Sequence, residues 1–177
     1  LLADMTPTIH YLCEVRLTAN PVFVIWVSCE RDDFVRSREN RILTFDNPIS
    51  AHRFALKNDF AIRTDEGTAL YELRHILKWC TNPCVEGILC NEFLNAWNFL
   101  EDALRVFRRS AFVKASGSLN EVYTKLFNGC NLLPMTRGEV FYVPVWTPGE
   151  PLALSVLFRL GIHEFEHSLT RYSEREA

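Results

Sequence analysis

Five consecutive residues, His163-Glu164-Phe165-Glu166-His167, are where side-chain types and spacing most directly spell out a chemistry. In H-E-x-x-H on a helix, two imidazoles stand one turn apart on one face and bind zinc, and the carboxylate between them activates water. A zinc-dependent hydrolase is therefore the alternative reading of this chain. Three features weigh against it. A catalytic zinc needs a third protein ligand; ten residues follow His167, and the carboxylates among them, Glu174 and Glu176, stand in a tail expected to be mobile. Glu166 places a charge where zinc proteases of this pattern carry uncharged residues. Such proteases also need a cleft between two subdomains, for which the chain is small. The preferred reading is a solvated helix end, where His complements the helix dipole. The expectation is no catalytic residue, no metal and no cofactor.

Cys80, Cys84 and Cys90, with His75 upstream, are a second cluster of metal-ligating types. Their spacings do not give the paired C-x-x-C knuckles of a structural zinc site, so buried thiols at a helix–loop–helix corner are expected instead. With Cys13, Cys29 and Cys130 they are read as reduced, which fits the cytosol. No phosphate loop, G-x-G-x-x-G or G-x-S-x-G is present. His10, His52 and His75 read as core-edge or surface residues, and Arg105, Arg108, Arg109 and Lys114 as a solvated helix end.

The elements that position these residues follow from periodicity. Ile9, Tyr11, Cys13, Val15 and Leu17 alternate with mostly polar residues, the mark of a half-buried strand. After a turn at Thr18–Pro21, the run from Val22 to Cys29 is apolar on both faces and should be a central strand. A charged loop is expected from Glu30 to Arg41, then a short strand Ile42–Phe45. Asp46 or Asn47 can cap a helix opened by Pro48 and running to about Asp59. A second helix is expected over Thr68–Cys80. Phe93, Trp97, Leu100, Leu104 and Phe107 form the apolar stripe of a third. Ser118 and Glu121 predict a capping box before a helix that closes at Gly129. Phe141–Trp146 reads as a strand, at an edge or bulge because of Pro144, and Thr147, Pro148 and Glu150 open a final helix to about Leu169. The class is α+β: an N-terminal antiparallel hairpin-based sheet packed with about five helices, in one domain spanning 1–177.

Composition agrees with a globular domain. Of 177 residues, 48% are hydrophobic and 23% charged, and 13 Phe with 4 Trp supply bulky core material. That length buries enough surface to fold without disulfides or metal. No apolar run is long enough to span a membrane. A net charge of −3 counts against direct nucleic-acid binding. The chain opens on Leu1, so earlier residues are expected to precede it and a cleaved leader stays open.

One stretch carries a family likeness. Tyr123 to Pro134 contains Asn128-Gly129-Cys130-Asn131-Leu132-Leu133-Pro134; Phe141 to Trp146 follows, then a Leu-rich helix with Gly161-Ile162 and Phe165. This resembles immunity proteins of contact-dependent growth inhibition and related polymorphic-toxin systems, which carry a similar N-G-x-N-L-P turn, a P-x-W strand end and a terminal helix. The likeness covers about half of the chain, including the Trp79 and Trp97 region. Cys130, the doubled Leu132-Leu133, His163 and His167 depart from the pattern. The resemblance implies a cytoplasmic antitoxin that binds the C-terminal domain of a cognate toxin, commonly a nuclease, and covers its active site. Nuclease sites are basic because they hold phosphate, so an inhibitor presents acidic groups on a rigid surface. The candidate partner-binding residues are Glu30, Asp32 and Asp33 at a strand end, and Asp65 and Glu66 in a loop. Asn128, Gly129, Asn131 and Trp146 are expected to build the fold, with Gly129 at positive φ.

Overall fold

The structure is a computed structural model and describes residues 7–65, 67–107, 110–131 and 141–173. It is of the α+β class. Contacts divide the chain into two compact units, one formed by Leu1–Tyr71 with Glu166–Ala177, the other by Glu72–Phe165.

The first unit is built on an antiparallel hairpin. Strand β1 (Ile9–Val15) pairs with β2 (Val22–Ser28), Ile9 opposite Ser28 and Val15 opposite Val22. The apolar run of β2 is internal to the sheet, as its composition predicts, with Val24 and Ile25 fully buried. The expected loop 30–41 in fact contains a strand, β3 (Asp33–Phe34), on the outer edge of β2. After β4 (Ile42–Thr44) comes helix α1 (Pro48–Lys57). Asn47 Oδ1 accepts the Ser50 N–H at 2.9 Å, satisfying one of the donors that a helix start leaves open. Two further short strands, β5 (Ile62–Arg63) and β6 (Ala69–Tyr71), both run parallel to β1 and make the sheet mixed.

Strand β6 occupies what periodicity assigns to the start of a helix at Thr68. The backbone there is claimed by β1, and Leu70, expected on the buried helix face, is exposed. Beyond the last helix lies one more strand, β7 (Leu169–Arg171), parallel to β4. Arg41 Nη2 donates to the carbonyls of His167 and Leu169 and so satisfies acceptors where helix gives way to strand. Phe23 and Phe45 exchange backbone hydrogen bonds of 3.0 and 2.8 Å, which join β4 to β2. Leu12, Phe23, Ile25, Leu43, Phe45, Ala51 and Ala55 make the core of this unit.

The second unit is helical: α2 (Leu73–Trp79), a 3₁₀ turn (Val85–Gly87), α3 (Cys90–Leu104), α4 (Ala111–Ser116), α5 (Asn120–Gly129) and α6 (Glu150–Ser168), the last included as far as Phe165. Phe93, Trp97, Leu100 and Leu104 of the expected stripe are buried on α3, while Phe107 lies past the helix end and is half-buried. Aromatic rings meet edge to face along α3: Phe93 with Phe158 at 5.4 Å, Trp97 with Tyr123 at 5.4 Å, Phe99 with Phe165 at 5.1 Å. The predicted capping box is not formed. Ser118 Oγ donates to the Ala115 carbonyl, closing α4 instead, and α5 starts without a side-chain cap.

Helix α6 begins where Thr147 and Glu150 place it. The Glu150 carboxylate accepts the Thr147 N–H at 2.6 Å and Lys125 Nζ at 2.7 Å. Burial alone raises the pKa of Glu150; the hydrogen bonds and charge of Lys125 and Thr147 outweigh it and hold the carboxyl below its ordinary 4.5. A lowered folded pKa gives stability that is present above the ordinary value and lost as pH falls through the folded one. Glu150→Gln is therefore expected to be less stable than the parent at neutral pH, with the difference closing below pH 4.5. Urea denaturation across that range checks it; a difference independent of pH would remove the charge from the account.

Candidate functional site

The acidic candidates all belong to the first unit. In the turn from β2 to β3, Asp32 Oδ1 accepts the Cys29 N–H at 3.2 Å. Asp33 Oδ1 accepts its neighbour Phe34's N–H at 2.7 Å and the Arg36 guanidinium at 2.7 and 3.0 Å. The turn is thus fastened through its carboxylates, which is what short polar side chains do at strand ends. Glu30 is exposed and has no hydrogen bond or ion pair among the described residues. In the second loop, Arg63 grips Asp65 with two parallel bonds of 2.6 and 2.8 Å and also reaches the Tyr11 hydroxyl. Glu66 lies outside the described residues. Asp33 and Asp65 are therefore matched by arginines of their own loops, whereas Glu30 and Asp32 form no ion pair among the described residues.

The H-E-x-x-H residues stand on α6 as expected, but Glu164 is already employed. Its Oε2 accepts the Ser110 hydroxyl at 2.6 Å, and its Oε1 accepts the Ala111 N–H at 2.8 Å. Ser110 in turn caps α4 by accepting the Val113 N–H at 3.1 Å. A carboxylate on the open N–H groups of a helix start is favoured by hydrogen bonding and by the dipole alike. Glu164 thereby fastens α4 rather than facing a water. The tail carboxylates Glu174 and Glu176 lie outside the described residues; among the described ones, no group of three or more His, Cys, Asp or Glu is placed to hold a metal ion. Elemental analysis of the purified protein is expected to find well under one zinc per chain, unchanged in His163→Ala. One zinc per chain, lost in that variant, would overturn this assignment.

All six cysteines are free thiols. Burial pushes Cys13 up to about 12, against a lowering contribution from the Trp26 backbone. Cys80 is pushed up to about 11 by burial, partly offset by the charge of Arg159. Thiols held protonated are poor nucleophiles and poor metal ligands. His75 faces Glu92 instead, Nδ1 to Oε1 at 3.6 Å. Burial raises the pKa of Glu92; His75 opposes that shift and Glu72 adds to it.

In the second unit the stretch that carries the family likeness holds a small device. Asn131 adopts φ 50°. Its Oδ1 accepts the Tyr142 N–H at 2.9 Å and its Nδ2 donates to the Tyr142 carbonyl at 3.2 Å. The expected strand 141–146 is not formed: Asn131's side chain takes the two backbone bonds that a neighbouring strand would make, and Pro144 has no N–H to offer. The positive φ falls at Asn131, not at Gly129, which ends α5 in ordinary helical geometry. Gly129 is needed for space, since a Cβ there would stand 2.5 Å from Cys90 Sγ and 2.8 Å from Pro144 Cγ. Phe141, Val143 and Val145 turn outward, 67%, 75% and 79% exposed, and Lys125 lies over the Trp146 ring at 5.9 Å. Nothing in the order of residues singled out this outward apolar row, because a strand assignment would have half-buried it.

The arrangement defines an α+β protein with a fastened acidic turn in one unit and an apolar outward row in the other. No protein-family model and no curated protein matches the chain. Among solved structures it is similar to the crystal structure of the SatS C-terminal domain in complex with bromine, with 12% identity over 92% of this chain and 94% of that chain and a TM-score of 0.54. At that identity the likeness is one of fold.

Proposed function

We propose that this chain is an immunity protein: a non-catalytic module that binds and neutralises the C-terminal domain of a cognate contact-dependent inhibition toxin. The toxin domain is taken to be a basic nuclease whose active site is covered in the cytoplasm. The observation that carries the reading is the turn between β2 and β3, where backbone bonds hold Asp32 and Asp33 in place and leave Glu30 projecting. A fixed acidic turn loses little freedom on binding and is drawn to a phosphate-binding cleft by charge. In the other unit, the exposed Phe141, Val143 and Val145 form an apolar row of the kind that protein interfaces use. The hydrolase alternative has Glu164's oxygens against it, since both already accept hydrogen bonds. Among the described residues no helix is long and apolar enough to cross a membrane.

The test is a pull-down with the C-terminal domain of the toxin encoded beside this chain's gene, followed by growth protection in cells expressing that domain. Stable capture with protection is expected; neither, with both proteins folded, would sink the reading. Within it, Asp32→Asn with Asp33→Asn is expected to slow association, flatten its salt dependence and raise dissociation. Removing one member of a buried charge pair costs about 2–5 kcal/mol. Neutralising Glu30, Asp65 and Glu66 as well completes the series. Binding kinetics untouched by the whole series would reject these residues as the contact.

A further inference from the structure

The first unit contains a cavity of about 470 Å³ between the turn after β3, the end of α1 and the segment beginning with β7. Its volume lies in the range of small-molecule sites, about 300–1,000 Å³. Two aromatic rings wall it. Phe54 and Tyr172 meet edge to face at 4.9 Å, and the Tyr172 N–H is tied to the Thr44 carbonyl at 2.9 Å. Four cations also line it, Arg36, Arg38, Lys57 and Arg171, against one carboxylate, Glu39.

That grouping stands out in a chain whose net charge is −3. Two of the cations are positioned from the side: Asp33 holds Arg36, whose side chain is 10% exposed, and Asp46 holds Arg171. Arg36 also donates Nη1 to the Asn40 carbonyl at 3.4 Å and so braces the turn that carries Arg38. Arg171 meets Asp46 through Nε and Nη2, which leaves Nη1 of its planar fork for a phosphate. Arg38 sits on a tight turn, closed by a Ser37 N–H to Arg41 carbonyl bond of 2.7 Å and by Asn40 at φ 62°. Lys57 projects from the last turn of α1 and is exposed, as Arg38 is.

We propose that this cavity binds a small phosphorylated aromatic ligand of the nucleotide class. The ring lies against Tyr172 and Phe54, and the phosphate lies among Arg38, Lys57 and the guanidinium group of Arg171. Rings alone would suit a neutral aromatic compound, and cations alone a bare anion; their meeting in one cavity calls for a ligand with both parts. The cavity shares the Asp33–Arg36 pair with the acidic turn, but its ligand does not depend on toxin binding.

Calorimetric titration of the whole chain with AMP, adenosine and inorganic phosphate tests it. AMP is expected to bind more tightly than either fragment, with affinity falling as salt rises. Lys57→Gln with Arg38→Gln should weaken AMP and erase most of the salt dependence while leaving adenosine unchanged. Tyr172→Leu should weaken AMP on the order of tenfold, the lower end of what a base–aromatic stack contributes. Circular dichroism establishes that each variant folds; should Tyr172→Leu unfold, the Lys57 and Arg38 pair decides alone, since both side chains are exposed. Three results would each overturn the proposal: no heat with AMP at millimolar concentration, phosphate binding as well as AMP, or adenosine binding as well as AMP.

Discussion

Trp97→Ala is expected to cost about 3–5 kcal/mol, the usual range for truncating a buried aromatic. Trp97 is 2% exposed at the middle of α3. Its indole meets Tyr123 of α5 at 5.4 Å, Phe158 of α6 at 6.3 Å and Phe112 of α4 at 6.5 Å. One side chain thus touches three helices besides its own, and no single neighbour can relax into the space it leaves. A domain's whole stability is about 5–15 kcal/mol, so the substitution removes a large share of it. Urea denaturation followed by far-ultraviolet circular dichroism measures it. A midpoint equal to the parent's would mean that the α3 stripe is not the core of this unit.

Glu164→Ala comes next in size, at about 2–3 kcal/mol. It removes charge-assisted hydrogen bonds and leaves the Ser110 hydroxyl, 6% exposed, and the Ala111 N–H without their acceptor. Glu164→Gln should recover part of the loss, because an amide oxygen still accepts one bond. The measurement also separates two roles. A general base removed from an open cleft leaves stability nearly unchanged; a carboxylate fastening α4 does not. Stability unaltered in Glu164→Ala would return the residue to the list of possible catalytic groups.

What could be read in the residue order was what neighbours along the chain decide. Asn47 with Pro48 marks a helix start because cap and capped N–H are three residues apart. Thr147 and Glu150 work the same way. The α3 stripe and the β1–β2 hairpin follow from periodicity, which survives any tertiary context that has an inside and an outside. Among the elements of two or three residues, β4 could be read from its apolar run, but β3, β5, β6 and β7 could not, since they are strands only through the partner each one meets. Helix α4 was hidden for a related reason: the carboxylate on its start is 53 residues away from Ala111 in sequence. The two acidic loops were visible as clusters of carboxylates, but not that Arg36 already answers Asp33 in one and Arg63 answers Asp65 in the other. The strand assigned to 141–146 failed because a side chain can imitate a strand. Asn131 presents one acceptor and one donor to Tyr142 from eleven residues away, and alternation of apolar residues does not register that.

The pairing of β4 with β7 sets an order of events during synthesis. Thr44 Oγ1 and the Thr170 carbonyl that it meets are 126 residues apart in the chain. At about 5–20 residues per second, a ribosome takes on the order of ten seconds to make that interval. Throughout it, β4 has emerged while its parallel neighbour does not yet exist, so the Ile42–Thr44 edge waits unpaired. The helices from α2 to α5 appear within the same interval and need nothing from the C-terminal strand to meet one another. Chains released after Ser168 should therefore resist protease in the helical unit and be cut near β4, and those released past Tyr172 should resist at both places.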